Sequence, residues 1–68
     1  MDAVEAIAQA EPVVSPKRAR EILDIGTTKL YELLDSRQLR SYLDGKSRKI
    51  FLSSIGEYQR RRMSAEAA

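Results

Sequence analysis

Two short apolar runs, Ala19, Ile22 and Leu23 and then Leu30, Leu33 and Leu34, flank the tripeptide Asp24-Ile25-Gly26. Residues three and four apart share one face of a helix, so each run predicts a short amphipathic helix. The tripeptide predicts a tight turn between them. Gly26 is expected to supply the turn's backbone freedom, and Gly26 or Thr27 to cap the second helix. This is the layout of a helix-turn-helix, whose second helix is free to enter the DNA major groove.

The flanking sequence supports that second helix. Val13-Val14 reads as a short extended piece, and Ser15-Pro16 as an N-cap followed by proline at the first helical position. The first helix is expected over Pro16–Leu23 and the second over Thr27–Ser36. Arg37-Gln38 then ends the helix and Leu39 tucks back. From Arg40 the period shortens towards two: Arg40–Leu43 reads as strand, Asp44–Ser47 as turn and Arg48–Leu52 as strand. Asp-Gly between such runs is a strong hairpin signal. Ser53 or Ser54 is expected to cap a last helix, with Ile55 and Tyr58 inward and an end at Arg60-Arg61-Arg62.

The expected fold is therefore mainly α with a small β-hairpin: a winged helix-turn-helix of three short helices plus the wing. It occupies residues 13–62. Residues 1–12, rich in alanine and acid, form an expected flexible tail closed by Pro12, and residues 63–68 a frayed end.

Composition narrows the function. The chain has no cysteine and no histidine, which removes disulfides, zinc–thiolate sites, the usual general base and the commonest metal ligand. There is no glycine-rich phosphate loop, and the carboxylates lie among bases where surface ion pairs explain them. No enzyme activity, cofactor, metal or small-molecule ligand is expected. No apolar run approaches the roughly 20 residues of a membrane span. A cytoplasmic protein without a membrane partner is expected.

The net charge of +2 is unevenly spread. Residues 1–12 carry three acids and no base, whereas residues 13–62 hold all twelve Lys and Arg against six acids, a surplus of six positive charges. A small basic module suits an acidic partner, and double-stranded DNA is the natural one.

On the second helix, Thr27, Thr28, Lys29, Tyr31 and Glu32 are the candidate readers. Tyr31 suits either core packing or DNA, because its hydroxyl needs a polar partner. Glu32 can accept from a cytosine amino group or pair with Lys29. Around the hairpin tip, Lys46, Ser47, Arg48 and Lys49 form a cationic wing suited to phosphates or a minor groove. Lysine on an edge strand also blocks aggregation. Lys17, Arg18, Arg40, Arg60, Arg61 and Arg62 are candidate phosphate contacts. A solvated face accounts equally for the first two, and a favourable helix dipole for the last three.

In order, V-x-S-P-x-x-A-x-x-I-L (Val13–Leu23), T-x-x-L-Y-x-L-L (Thr27–Leu34), L-R-S-Y (Leu39–Tyr42), G-K-S-R-K-I (Gly45–Ile50) and I-x-x-Y (Ile55–Tyr58) make a set. This set resembles the excisionase-type DNA-binding family, small winged helix-turn-helix proteins related to the DNA-binding part of mercury-resistance-type regulators. The resemblance covers roughly residues 13–60.

It implies site-specific DNA binding, with the second helix in the major groove and the wing in the adjacent minor groove. It further implies phage or plasmid excision in a bacterial host cell or its nucleoid. There, several copies bind tandem sites cooperatively, bend the DNA and turn an integrase towards excision. The chain departs from the family at Gly26, where members often carry serine, and at Leu43, where many carry a base. Leu43 is thereby a candidate for self-association. Without the long dimerisation helix and effector domain of the mercury-resistance-type regulators, a sensing activator is not expected. A small transcriptional regulator of the same fold is the alternative, and a protein-interaction module the second.

Overall fold

Residues 10–67 are described by the structure, a computed structural model, in the order β1 (Val13–Val14), α1 (Pro16–Leu23), α2 (Thr27–Asp35), β2 (Ser41–Asp44), β3 (Ser47–Phe51) and α3 (Leu52–Ala67). The start of α1 follows from its sequence: the Ser15 side chain accepts a hydrogen bond from Arg18 N at 3.2 Å, and Pro16 stands first in the helix.

The turn between α1 and α2 differs from expectation. Asp24, not Gly26, adopts the left-handed conformation, with φ 55°. Ile25 N–H then closes back on Arg20 O at 3.1 Å. Aspartate is one of the few residues besides glycine that visits this region readily. Gly26 is instead the extended N-cap of α2 (φ −84°, ψ 175°), and a β-carbon there would meet nothing within 4 Å.

The end of α2 uses the same device. Ser36 is its C-cap, Arg37 is left-handed (φ 61°), and Arg37 N–H and Gln38 N–H donate to Leu34 O and Leu33 O at 3.1 and 2.9 Å. This is the bonding of a Schellman motif, with arginine where glycine is usual.

The hairpin gains a third strand. The sheet is antiparallel in the order β1-β3-β2, with Val13 opposite Phe51 and Val14 opposite Ile50. The expected mainly-α fold with a small hairpin is thus corrected to three helices and a three-stranded sheet, a small α+β fold. Branched valines suit strand backbone, and here they find an open sheet edge to pair with. Asp44 pairs with Ser47, so the hairpin loop is Gly45-Lys46. Gly45 has φ 63° and Lys46 has no positive φ, the pattern of a type II′ turn.

Two expectations about the last helix fail. α3 follows β3 directly, and Leu52 N–H donates to Pro12 O at 3.0 Å. Neither Ser53 nor Ser54 caps it. Ser54 is 1% exposed; its hydroxyl accepts from Arg40 N–H at 3.1 Å and donates to Phe51 O at 2.7 Å. At its other end the helix runs on to Ala67, past the expected stop at Arg62. The dipole acts within the last turn, and it does not explain three arginines in mid-helix. Residue 68 lies outside the described residues, as does the expected tail up to residue 9.

Ala19, Leu30, Leu33, Leu39, Ile50 and Ile55 form the buried core, surrounded by Val14, Ile22, Leu23, Ile25, Leu34 and Tyr58. Every element supplies a residue to this cluster or its surround except β2, whose register instead pins Ser41 against Ile50. Among the described residues no helix is long and apolar enough to cross a membrane.

Candidate nucleic-acid interface

Leu30 and Leu33 turn one side of α2 into the core and leave the other uncovered. Thr27, Thr28, Lys29, Tyr31 and Glu32 are all exposed, Tyr31 by 43%. Tyr31 is therefore a flank residue and not part of the core. Thr27 has a partner that the sequence did not suggest: its Oγ1 accepts from Arg20 Nη1 at 3.0 Å. The last turn of α1 is thereby tied to the first turn of α2. The only signal was their closeness on either side of a three-residue turn.

Thr28, Glu32 and Asp35 lie four and three residues apart along the outermost line of α2. The expected pairing of Glu32 with Lys29 is not formed; among the described residues the ion pairs are Arg18–Glu21 and Arg40–Glu57. The exposed line of α2 therefore ends in two carboxylates without a cationic partner. Any positive potential at this face comes from Lys29 at its flank and from neighbouring elements.

The hairpin distributes its cations over two faces. Residues paired across strands share a face. Ile50 and Ser41 point to the core, and Arg48 and Leu43 lie next along the same side. Lys49 and Tyr42 occupy the other, together with Phe51. Arg48 is half-buried and donates to Ser41 Oγ at 2.8 Å, so it braces the ladder. Lys49 is half-buried beside Tyr42. Lys46 and Ser47 are the exposed residues of the tip. The expected four-residue cationic tip thus reduces to one exposed lysine, with a half-buried base behind it on each face. Leu43 is 60% exposed.

The six candidate phosphate contacts divide evenly. Lys17, Arg60 and Arg62 are exposed and have no hydrogen-bond or ion-pair partner among the described residues. Arg18 pairs with Glu21 at 3.1 Å, and Arg61 donates to Gln38 O at 2.9 Å, holding the loop after α2 against α3. Arg40 is the most engaged: it donates to Ser53 Oγ at 2.9 Å, stands 3.9 Å from Glu57, and stacks 5.3 Å from the Phe51 ring centre. Phe51 in turn meets Tyr42, ring centres 5.5 Å apart.

Arg37 was not among the sequence candidates, yet it is exposed, unpaired among the described residues and fixed in a left-handed backbone just after α2. Its place at the first residue past the C-cap was the available signal. Comparison with protein-family models, with curated proteins and with solved structures found no match.

Proposed function

We propose that this chain is a sequence-specific DNA-binding protein of winged helix-turn-helix architecture. In this reading α1, the turn and α2 are the helix-turn-helix, α2 enters a major groove, and the β2–β3 hairpin is the wing. The observation that carries it is the uncovered surface of α2 from Thr27 to Glu32. Arg20 braces it at the N-terminal end, and a hairpin tipped by Lys46 stands on the same small core. Thr27, Thr28, Lys29, Tyr31 and Glu32 contact bases or nearby phosphates, and Lys46, Ser47 and Lys49 contact the backbone at the wing.

Affinity comes mostly from phosphate neutralisation by lysines and arginines with no partner of their own. About six such contacts give a log–log salt slope near −5. The carboxylates of Glu32 and Asp35 repel phosphates and suit a base edge, where glutamate accepts from cytosine N4. The family resemblance extends the proposal to phage or plasmid excision. Several copies bind tandem sites, bend the DNA and direct an integrase, with the exposed Leu43 as a contact between copies. One module this small offers little reading surface, which favours multiple copies.

The acidic line on α2 is the specific observation that favours a second reading, a protein-interaction module. A gel-shift titration at several salt concentrations, on DNA carrying direct repeats, separates the two. A ladder of slower complexes with a steep threshold supports the excision factor. A single complex at one site points to a small regulator of the same fold. No salt-sensitive binding to any duplex leaves the protein-interaction reading.

A further inference from the structure

An open groove of about 440 Å³ lies where the end of α2, the following loop and the base of the sheet meet; Leu34, Arg37, Leu39, Arg40, Ser41 and Phe51 line it. Its volume falls within the range of ligand clefts, about 300–1,000 Å³. Leu34, Leu39 and Phe51 supply an apolar lining, Arg37 supplies an unpaired positive charge, and Arg40 supplies one that it shares with Glu57 at 3.9 Å. Arg37 occupies a backbone conformation that costs most residues roughly 1–2 kcal/mol and glycine almost nothing. A ligand for this groove is acidic and carries aliphatic side chains.

We propose that the groove is occupied by residues 1–9 of the same chain. Three observations point to that occupant. Its sequence, MDAVEAIAQ, carries two acids, Asp2 and Glu5, and no base, together with the aliphatic Val4 and Ile7. Each pair recurs at a spacing of three, so charge and apolar surface come in matching intervals. Second, the segment departs from the right place. Glu11 Oε1 accepts from Ser53 Oγ at 3.2 Å, and Ser53 Oγ in turn accepts from Arg40 Nη2 at 2.9 Å. The chain therefore leaves the folded body one hydroxyl away from an arginine of the groove. Third, nine residues reach at most about 30 Å, and tethering so close holds the segment at an effective concentration in the millimolar range. The aliphatic pair matches the apolar lining in chemistry, and the acidic pair matches the positive charge of Arg37. The attraction is exposed and weakens with salt.

This docking stands apart from the DNA-binding reading. Its consequence for DNA rests on that reading: a docked segment screens the unpaired Arg37 from phosphates, so neutralising the acids (D2N with E5Q) tightens DNA binding severalfold.

The absence of native cysteine permits a clean test without DNA. A nitroxide is placed on full-length protein at Ala3→Cys, and amide signals are read with ¹⁵N in the same chain. The expected result is strong broadening at Leu34, Arg37 to Ser41 and Phe51. It is lost in a D2N/E5Q/I7S variant and in high salt, and reduced in R37G, which keeps the fold. Broadening no greater than in the D2N/E5Q/I7S variant overturns the proposal. So does broadening seen only when nitroxide and ¹⁵N sit on different chains, because the occupant is then a second copy.

Discussion

The two ends of the β2–β3 hairpin share one ladder and live in different environments. At the base, Ile50 is fully buried, Arg48 braces Ser41 at 2.8 Å, and the Ser54 hydroxyl takes Arg40 N–H at 3.1 Å. At the tip, Leu43, Asp44, Gly45, Lys46 and Ser47 are all exposed, and strand pairing alone holds them. Buried groups with satisfied partners are costly to displace, whereas exposed ones exchange neighbours for water at little cost. The base therefore sets where the hairpin stands, and the tip is left open to solvent. Close packing and open surface occupy opposite ends of the same two strands.

The sharpest way to break this contrast is to truncate one residue at each end on the same sheet face. Ile50→Ala should cost about 2–5 kcal/mol by denaturant titration, and Leu43→Ala less than about 0.5 kcal/mol. Similar losses at the two positions would mean that the tip is packed. Next in size is Ser54→Ala, which leaves Arg40 N–H without its buried acceptor and should cost about 1–3 kcal/mol. A cost near zero would show that water replaces the hydroxyl.

Gly45→Ala imposes a left-handed backbone on a β-carbon-bearing residue, worth about 1–2 kcal/mol. Hydrogen exchange should show that loss in the hairpin before the helices. Arg37→Gly should act in the opposite direction, adding about 0.5–1 kcal/mol by relieving the same conformation at the end of α2. It should at once remove a cation from the groove, so thermal stability and binding should move apart. Smallest in stability is Lys46→Ala, expected within about 0.5 kcal/mol of the parent. Under the DNA-binding reading it lowers the salt slope by about 1, and an unchanged slope would remove the tip from the interface.

Local rules made much of the fold legible in the sequence. Ser15-Pro16 begins a helix because a side-chain cap and a fixed φ act within one turn, and α1 spans the expected Pro16–Leu23. Leu30 and Leu33 were readable as core from helical spacing, and they are buried. Asp44-Gly45 announced a hairpin because only a few residues tolerate its turn. Of the candidate site, the exposure of Thr27, Thr28, Lys29, Tyr31 and Glu32 followed from the same helical spacing.

The remainder depended on partners distant in the chain. Val13-Val14 became a strand because Phe51 and Ile50, nearly forty residues on, offered an open edge. Ser54, which looked like a cap, became a buried link because the fold brings Arg40 N–H to it. The bases looked alike in composition, yet Arg40, Arg48 and Arg61 hydrogen-bond to Ser53, Ser41 and Gln38, whereas Lys17, Lys46 and Arg62 have no partner among the described residues. Sequence by itself determined which segments are helix, turn and hairpin, since those preferences act over a few residues. Tertiary structure alone decided which cations are paired and which stand open to solvent, because that depends on what packs beside each one.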